Sequence, residues 1–486
     1  MWSIDRASVI PRRGQGADAV FARIAAAVAD DIRRGVLRAG DRVPSTRVLA
    51  DRLGVTRNTV VAAFDELLGQ GWVESRGAAG TFVAASLPER AVRRAASTEP
   101  LGIAKRAAFD VPAVAPLVTP FDPAATYHIS AGVPDPRLFP KAAFARAYRR
   151  VLRTSAGTTA LEYGSSLGTL RLRAAVAAML REQRAIPAGA EHVMITRGSQ
   201  MAIELAARAL LRPGDVAAVE AYGYQPAWRA FEAAGAELAG VPLDASGLVV
   251  DELPATPRLV YATPHHQYPT TVLMSPARRF ALLERARRER FAIVEDDYDH
   301  EFHFDGRPVA PLASADPSGA VLYVGTLSKV LAPGLRLGYV VAPEPVIAML
   351  AAIRATIDRQ GDHVTELAVA DLIEDGELAR HVATSRRIYA ARRDAFVELL
   401  RRELGGALDI SLPAGGITVW ARVSPEISIE RWRQRALAKG VAFVPGRALL
   451  LGRAPSPFIR LAFARYSETE LADAVRRLAR ALHGRG

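Results

Sequence analysis

Apolar residues at helical spacing open the chain. Val20, Ile24, Val28 and Ile32 recur every fourth residue, which predicts an amphipathic helix over 17–34 that Gly35 stops. Residues 1–15 before it read as a loose arm. Asp41-Arg-Val-Pro44 is a turn, and Ser45 can cap a second helix that runs to Leu53 with Val48, Leu49 and Leu53 inward. Gly54 breaks the chain. Thr56 can cap a third helix with Val60, Phe64 and Leu67 inward. Trp72-Val-Glu and Thr81-Phe-Val-Ala then read as two short strands around Arg76-Gly-Ala-Ala-Gly80.

The period is lost from about 86 to 125, where prolines recur (Pro88, Pro100, Pro112, Pro116, Pro120, Pro123), a linker composition. From 126 onward, strand-like runs alternate with helical stretches: His192–Thr196, Val216–Val219, Arg258–Ala262, Phe291–Val294 and Val321–Val324. That alternation predicts an α/β domain with a mostly parallel sheet. Long helices around Ile417–Ala421 and Phe458–Ala462 predict a small α+β lobe at roughly 365–484. There is no internal repeat. The expected domains are thus 17–85, a linker at 86–125, and 126–484.

Composition narrows the function classes. A length of 486 residues fits two to four domains. The absence of cysteine excludes disulfides, thiolate chemistry and Cys-based zinc sites, and no metal is expected. Met1-Trp-Ser-Ile-Asp-Arg lacks the apolar core of a signal peptide, and no uncharged apolar run of about 18 residues occurs, so a cytoplasmic protein without membrane spans is expected. A formal charge of +12 suggests an anionic partner, nucleic acid first, although an arginine-rich composition explains the charge equally well.

The N-terminal order of elements bears on that partner. Three helices, a tight Gly turn between the second and third, and a following hairpin make a winged helix-turn-helix. Such a fold offers the start of its third helix to the major groove of double-stranded DNA. Those residues are Thr56, Arg57, Asn58 and Thr59, which can donate to phosphates or base edges. Arg47 is placed to meet the backbone, and the wing residues Arg76 and Gly77 to enter the minor groove. Caps and a Gly turn also occur in any small helical bundle. The whole stretch from Val43-Pro-Ser-Thr-Arg to Gly-Val-Thr-Arg-Asn-Thr-Val60, closed by Gly80-Thr-Phe-Val83, resembles the GntR-family winged helix.

Only four of the 63 Lys and Arg residues are lysines: Lys105, Lys141, Lys329 and Lys439. Where any cation would serve, this chain uses Arg. Lys can lose its proton and form a Schiff base, which Arg cannot. Lys329 follows the strand run Val321–Val324 in Thr326-Leu-Ser-Lys329, with Arg336 seven residues on. Other chemistry-bearing residues also follow strand runs, where α/β sheets bind ligands. Asp296 and Tyr298 lie in Glu295-Asp-Asp-Tyr-Asp299, which taken alone could be a solvated acidic loop or a Mg²⁺ site. Gly198-Ser199-Gln200 opens a helix, either as an anion site or as an ordinary N-cap. Tyr224 is either a stacking ring or a packed surface aromatic. Together they match what pyridoxal 5'-phosphate needs: a Lys for its aldehyde, a carboxylate for its ring nitrogen, an anion cradle and a flat neighbour.

Gly198-Ser-Gln, Tyr224, Thr263-Pro-His-His-Gln-Tyr-Pro-Thr270, Glu295-Asp-Asp-Tyr and Ser328-Lys-x-x-x-Pro-Gly-x-Arg336 stand in the order and spacing of a fold-type-I aminotransferase. With the winged helix in front, the chain resembles the MocR subfamily of GntR regulators. The resemblance implies Lys329 as the Schiff-base and catalytic residue, Asp296 as the ring-nitrogen partner, Tyr298 as the ring-oxygen contact and Tyr224 as the stacking ring. Gly198, Ser199, Gln200, Thr326, Ser328 and Arg336 fall on the phosphate side. Tyr163, in Tyr-Gly-x-x-x-Gly168, resembles a Tyr that reaches the phosphate of the other subunit, and Arg460 resembles the Arg that grips a substrate carboxylate. The implied protein is a head-to-tail homodimer in the cytoplasm, at the nucleoid. It regulates transcription and senses an amino compound or pyridoxal phosphate. The alternative reading is a working aminotransferase that carries a DNA-binding domain. Departures from the aminotransferase pattern are Tyr268 in place of Asn and Thr271 in place of Gly. Pro226 replaces the Arg of the branch that senses γ-aminobutyrate, and Thr418 or a neighbour takes the place of a His in the lining loop Ala414–Val419.

Overall fold

Two apolar stripes on crossing helices close the first unit. The computed structural model describes residues 20–87, 107–111, 121–306 and 308–483; the arm, the first residues of the expected first helix and most of the proline-rich segment lie outside them. The chain divides into a unit at Met1–Ala115 and a larger one at Pro116–Gly486. In the first, α1 (Val20–Arg33), α2 (Thr46–Leu53) and α3 (Arg57–Gly69) bury Ile24, Val28, Leu49, Leu53, Val60 and Phe64 together. Ser45 caps α2 and Thr56 caps α3, each accepting from a backbone N–H of the first turn. Gly54 ends α2 at φ 64°, a left-handed conformation that costs glycine little. Strands β1 (Val73–Ser75) and β2 (Thr81–Val83) pair antiparallel as the wing. Val48 departs from expectation: it is 57% exposed. The buried stripe of this eight-residue helix runs through Leu49, Ala50 and Leu53, and Val48 falls on its opposite side.

The second unit is built on a seven-stranded sheet. In chain order its strands are β3 (Val193–Thr196), β4 (Val216–Glu220), β5 (Glu237–Val241), β6 (Leu259–Ala262), β7 (Ala292–Asp297), β8 (Val321–Thr326) and β9 (Gly338–Val341). The order across the sheet is β3-β9-β8-β7-β6-β4-β5. All neighbours run parallel except β9, which is antiparallel to both β8 and β3. The carboxyl ends of β3, β4, β6, β7 and β8 therefore share one edge, where a doubly wound sheet leaves its ligand crevice.

β7 is longer than the apolar run predicts. Glu295, Asp296 and Asp297 belong to it and are buried. A strand tolerates three carboxylates only when each is hydrogen-bonded. Glu295 accepts from the Leu312 and Ala313 N–H groups at 2.7 and 2.9 Å. Asp296 accepts from the Tyr261 hydroxyl at 2.7 Å. Asp297 accepts from the Tyr323 hydroxyl at 2.7 Å. Strand alternation turns Asp296 to one face and its two neighbours to the other.

The small lobe has a four-stranded antiparallel sheet of β10 (Leu408–Ile410), β11 (Thr418–Val423), β12 (Val444–Pro445) and β13 (Phe458–Ala462), in the order β10-β11-β13-β12. Helices Glu377–Leu404 and Glu468–His483 pack on it. The lobe also takes in the start of the unit: Tyr127–His128 pairs with Val441–Ala442, and Ile129 joins its core. This return of the chain places the loop after Ile129 beside β13. Among the described residues no helix is long and apolar enough to cross a membrane.

Candidate functional site

The five strand ends bring most of the expected residues to one place. Lys329 directly follows Ser328 on the loop after β8, partly buried. Its Nζ donates to the Gly132 carbonyl at 2.6 Å. Burial, reinforced by the Arg460 cation, lowers its pKa to about 8, while Asp299 and Asp296 oppose the shift. A fraction of the amine is therefore unprotonated near neutral pH. Arg460, on β13, approaches the same glycine from the small lobe. It donates to the Ser130 carbonyl at 3.2 Å, and a Cβ on residue 132 would stand 2.3 Å from its Nη2 and 3.2 Å from Thr418. Glycine at 132 thus lets the two cations converge.

Asp296 has one oxygen on Tyr261, and its Oδ1 is buried without a partner. Burial raises this carboxyl from 3.8 to about 7; the Tyr261 bond and Lys329 pull the other way. Two carboxylates on the same sheet, Glu220 and Glu295, are also raised to about 7 by burial. Tyr224, at the start of helix Gln225–Ala233, has its hydroxyl pKa raised by burial first and then by the Asp296 charge.

Tyr268 is the hub of an aromatic cluster. Its ring meets Tyr224 edge-on at 5.6 Å and Tyr298 at 6.0 Å, and Arg460 lies 4.7 Å from its centre. Sequence reasoning marked Tyr268 only as a departure, yet it joins three expected site residues. Tyr261 and Gly132 were missed. Neither has a local signal, because each acquires its role from a partner 35 or more residues away.

The residues expected on the phosphate side gather at the helix Ser199–Leu210. Gly198, at φ 75°, precedes it and leaves the first-turn N–H groups open to an anion. Arg336 arches over this turn: a Cβ on Gly198 would stand 3.1 Å from its Nη2. A Cβ on Gly338 would stand 2.6 Å from the Gly198 carbonyl carbon, so the loop rests directly on β9. Ser328 Oγ is buried and unpartnered, and its N–H donates to Thr326 Oγ1 at 3.1 Å. The Gln200 side chain turns the other way, donating to the Pro226 carbonyl at 3.0 Å, which leaves its backbone N–H for the cradle. A bare carboxylate oxygen, a bare hydroxyl, an open helix N-terminus and a lysine of lowered pKa suit the nitrogen, phosphate and aldehyde of pyridoxal phosphate.

Tyr163 stands apart, 82% exposed with Arg359 over its ring. Its loop is pinned, since Gly164 N–H donates to Gln360 at 2.5 Å and Arg354 donates to the Ser166 carbonyl at 2.9 Å. In the first unit, Arg47, Arg57, Asn58, Arg76 and Gly77 are exposed. Thr56 and Thr59 are tied to each other through their hydroxyls at 2.8 Å, and Arg57 leans on Thr46. Arg76 is paired with Glu74 at 2.6 Å over the Phe82 ring.

Comparison with known proteins agrees with both halves. Residues 131–478 match the family of class I and II aminotransferases, and residues 21–83 match the gntR family of bacterial regulatory proteins. The chain is 35% identical over 418 residues to the probable rhizopine catabolism regulatory protein MocR of Rhizobium meliloti, covering 85% of this chain and 84% of that one. It is 34% identical over 474 residues to the HTH-type transcriptional regulator TauR of Rhodobacter capsulatus, covering 95% and 96%. The crystal structure of a multiple substrate aminotransferase from Thermococcus profundus superposes with a TM-score of 0.69 at 33% identity, covering 74% of this chain and 92% of that one.

Proposed function

This chain belongs to the MocR-type regulators of the gntR family, and we propose that its large module reads an amino compound, or pyridoxal phosphate itself, and relays the result to DNA. It is a DNA-binding transcriptional regulator, and its cofactor is pyridoxal 5'-phosphate. When bound, that cofactor supplies an aldehyde that condenses with amines and a ring that withdraws electrons from the carbon beside the nitrogen.

The chain's own groups divide the work. Lys329, held near pKa 8, presents the amine. Asp296 Oδ1 accepts a ring N–H, the bond it lacks within the protein. The N–H groups of Gly198, Ser199 and Gln200, the Thr326 and Ser328 hydroxyls and Arg336 hold a phosphate dianion. Tyr224 lies against the ring and Tyr298 serves its phenolic oxygen. Arg460, beside Gly132 and Thr418, takes the carboxylate of an incoming amino acid. The observation that carries the reading is the buried, unpartnered Asp296 oxygen, close enough to Lys329 for the two charges to act on each other.

The large module is proposed to act as a head-to-tail homodimer in the cytoplasm, at the nucleoid. Tyr163 supports this. It is a rigidly held, exposed aromatic with Leu161 (72% exposed) and Leu170 (66% exposed) nearby in sequence, a surface suited to a partner. An incoming amino compound would be held by Arg460 on the small lobe and would lie beside Lys329 on the sheet edge, so its binding would bear on both. Such an effect biases DNA binding only if the two states differ in DNA affinity. The full set of Lys329, Asp296 and Arg460 also favours a second reading, in which the module turns over amino acids while carrying a DNA-binding domain.

DNA binding is tested by fluorescence anisotropy with the protein's own upstream DNA. Affinity should fall steeply with salt. Arg57→Ala should weaken binding about tenfold, the loss of one Arg contact at the start of the recognition helix. Salt-independent binding, or none, would overturn the assignment.

A further inference from the structure

Four of the nine histidines meet at the ends of β6 and β7. His265 and His266 come from the loop after β6, and His300 and His303 from the loop after β7; all four are buried. His265 stacks on His300 with ring centres 4.3 Å apart and lies 4.4 Å from His266. His266 and His303 are stacked, 12° from parallel. None of these rings was needed to place the cofactor.

One separation suits a metal ion, and a third histidine stands close by. His266 Nε2 and His303 Nδ1 are 3.3 Å apart, the separation of two nitrogens that each lie about 2.0–2.1 Å from one tetrahedral zinc ion. His265 brings a third nitrogen within 4.8 Å of both. The second, independent observation is His265 itself: it is 1% exposed, and neither of its ring nitrogens has a hydrogen-bond partner. Burying a donor and an acceptor with nothing to meet them is unfavourable unless a ligand takes their place.

The surroundings fit the same ligand. His266 Nδ1 lies 2.8 Å from Asp299 Oδ1, an arrangement that fixes the proton on Nδ1 and turns the Nε2 lone pair toward His303. Residue 415 is glycine, and a Cβ there would stand 2.2 Å from His266 Nε2, so a side chain would occupy the edge of the cluster. A second group, His265 with Asp297 and His300, is also compact. Its carboxylate is already engaged by the Tyr323 hydroxyl, by His300 at 2.9 Å and by Arg184 at 3.8 Å.

We propose that His265, His266 and His303 bind a divalent transition-metal ion of the zinc class, with Asp299 positioning His266. Three imidazoles select such an ion over Mg²⁺ or Ca²⁺, which prefer oxygen ligands. Asp299 also acts on the charge of Lys329, so the ion sits one carboxylate away from the Schiff-base lysine. This departs from the sequence expectation of no metal, because the histidine pairs are more than thirty residues apart and no ligand spacing links them.

The test uses tag-free, full-length protein freed of metal with a chelator and titrated with Zn²⁺ by calorimetry and with Co²⁺ by visible absorption. One ion should bind per chain. His265→Asn and His303→Gln should each weaken binding by at least about tenfold, with His381→Gln, a residue bonded to the Val330 carbonyl outside the cluster, unchanged. Wild-type protein that binds no stoichiometric ion overturns the proposal, whatever the variants do. So does binding that survives both cluster variants, or binding lost in His300→Gln but kept in His303→Gln.

Discussion

Replacing Lys329 by alanine is expected to abolish covalent capture of pyridoxal phosphate. The wild-type protein should gain visible absorbance on addition of the cofactor, and borohydride reduction should add the cofactor's mass to the chain. Lys329→Ala should do neither, because among the described residues Lys329 is the lysine whose amine lies in the site. The proposed phosphate cradle of Gly198, Ser328 and Arg336 is untouched by this substitution, so weak and reversible binding should persist. Lys329→Arg should fail in the same way. Arg keeps the charge but stays protonated, so that variant separates the chemistry from the electrostatics. A mass adduct retained in either variant would remove Lys329 from its role.

Asp296→Asn is expected to strengthen the cofactor-free protein at alkaline pH and weaken its hold on the cofactor. Burial raises the Asp296 carboxyl from 3.8 to about 7, so the folded chain keeps a proton that the unfolded chain has released. Its contribution to stability is therefore intact below about pH 4 and is lost as pH climbs through about 7. The asparagine amide can still accept from the Tyr261 hydroxyl but has no charge to bury. Without cofactor, the variant should match wild type near pH 4 and exceed it at pH 8, by on the order of 4 kcal/mol. With cofactor the order should reverse, because Asn pairs poorly with a protonated ring nitrogen. Urea unfolding at the two pH values, with and without pyridoxal phosphate, reads both effects. Equal stability at pH 8 together with unchanged cofactor affinity would contradict the role of Asp296.

The large architecture was legible where local pattern and burial agree. The winged helix announced itself through Ser45, Gly54 and Thr56, whose caps and turn depend only on neighbours in sequence. Lys329 stood out because this chain otherwise spends its positive charge on Arg. Two strands of the seven-stranded sheet are absent from the sequence expectation. Glu237–Val241 is an edge strand rich in Ala and Gly, which carry little strand preference, and Gly338–Val341 starts on the glycine beneath the phosphate loop. β7 was drawn too short because three successive carboxylates read as solvent-facing. The bonds from Tyr261, Tyr323 and the backbone at 312–313, with His300 and Arg184 beside Asp297, explain their burial. Tyr268, Gly132 and the histidine cluster were illegible for a common reason: each gets its meaning from residues that the sheet brings alongside, and no spacing rule reaches them.

The most direct test of the central claim, that one chain couples a Lys329-bound cofactor to DNA, is a set of DNA-binding titrations at fixed salt. The protein's own upstream DNA would be titrated with wild type and with Lys329→Ala, each cofactor-free, cofactor-loaded, and cofactor-loaded with a panel of amino compounds. The account predicts that wild-type affinity or footprint changes with the state of the cofactor and that Lys329→Ala loses this response while still binding DNA. Superimposable wild-type curves in all of these states would contradict it.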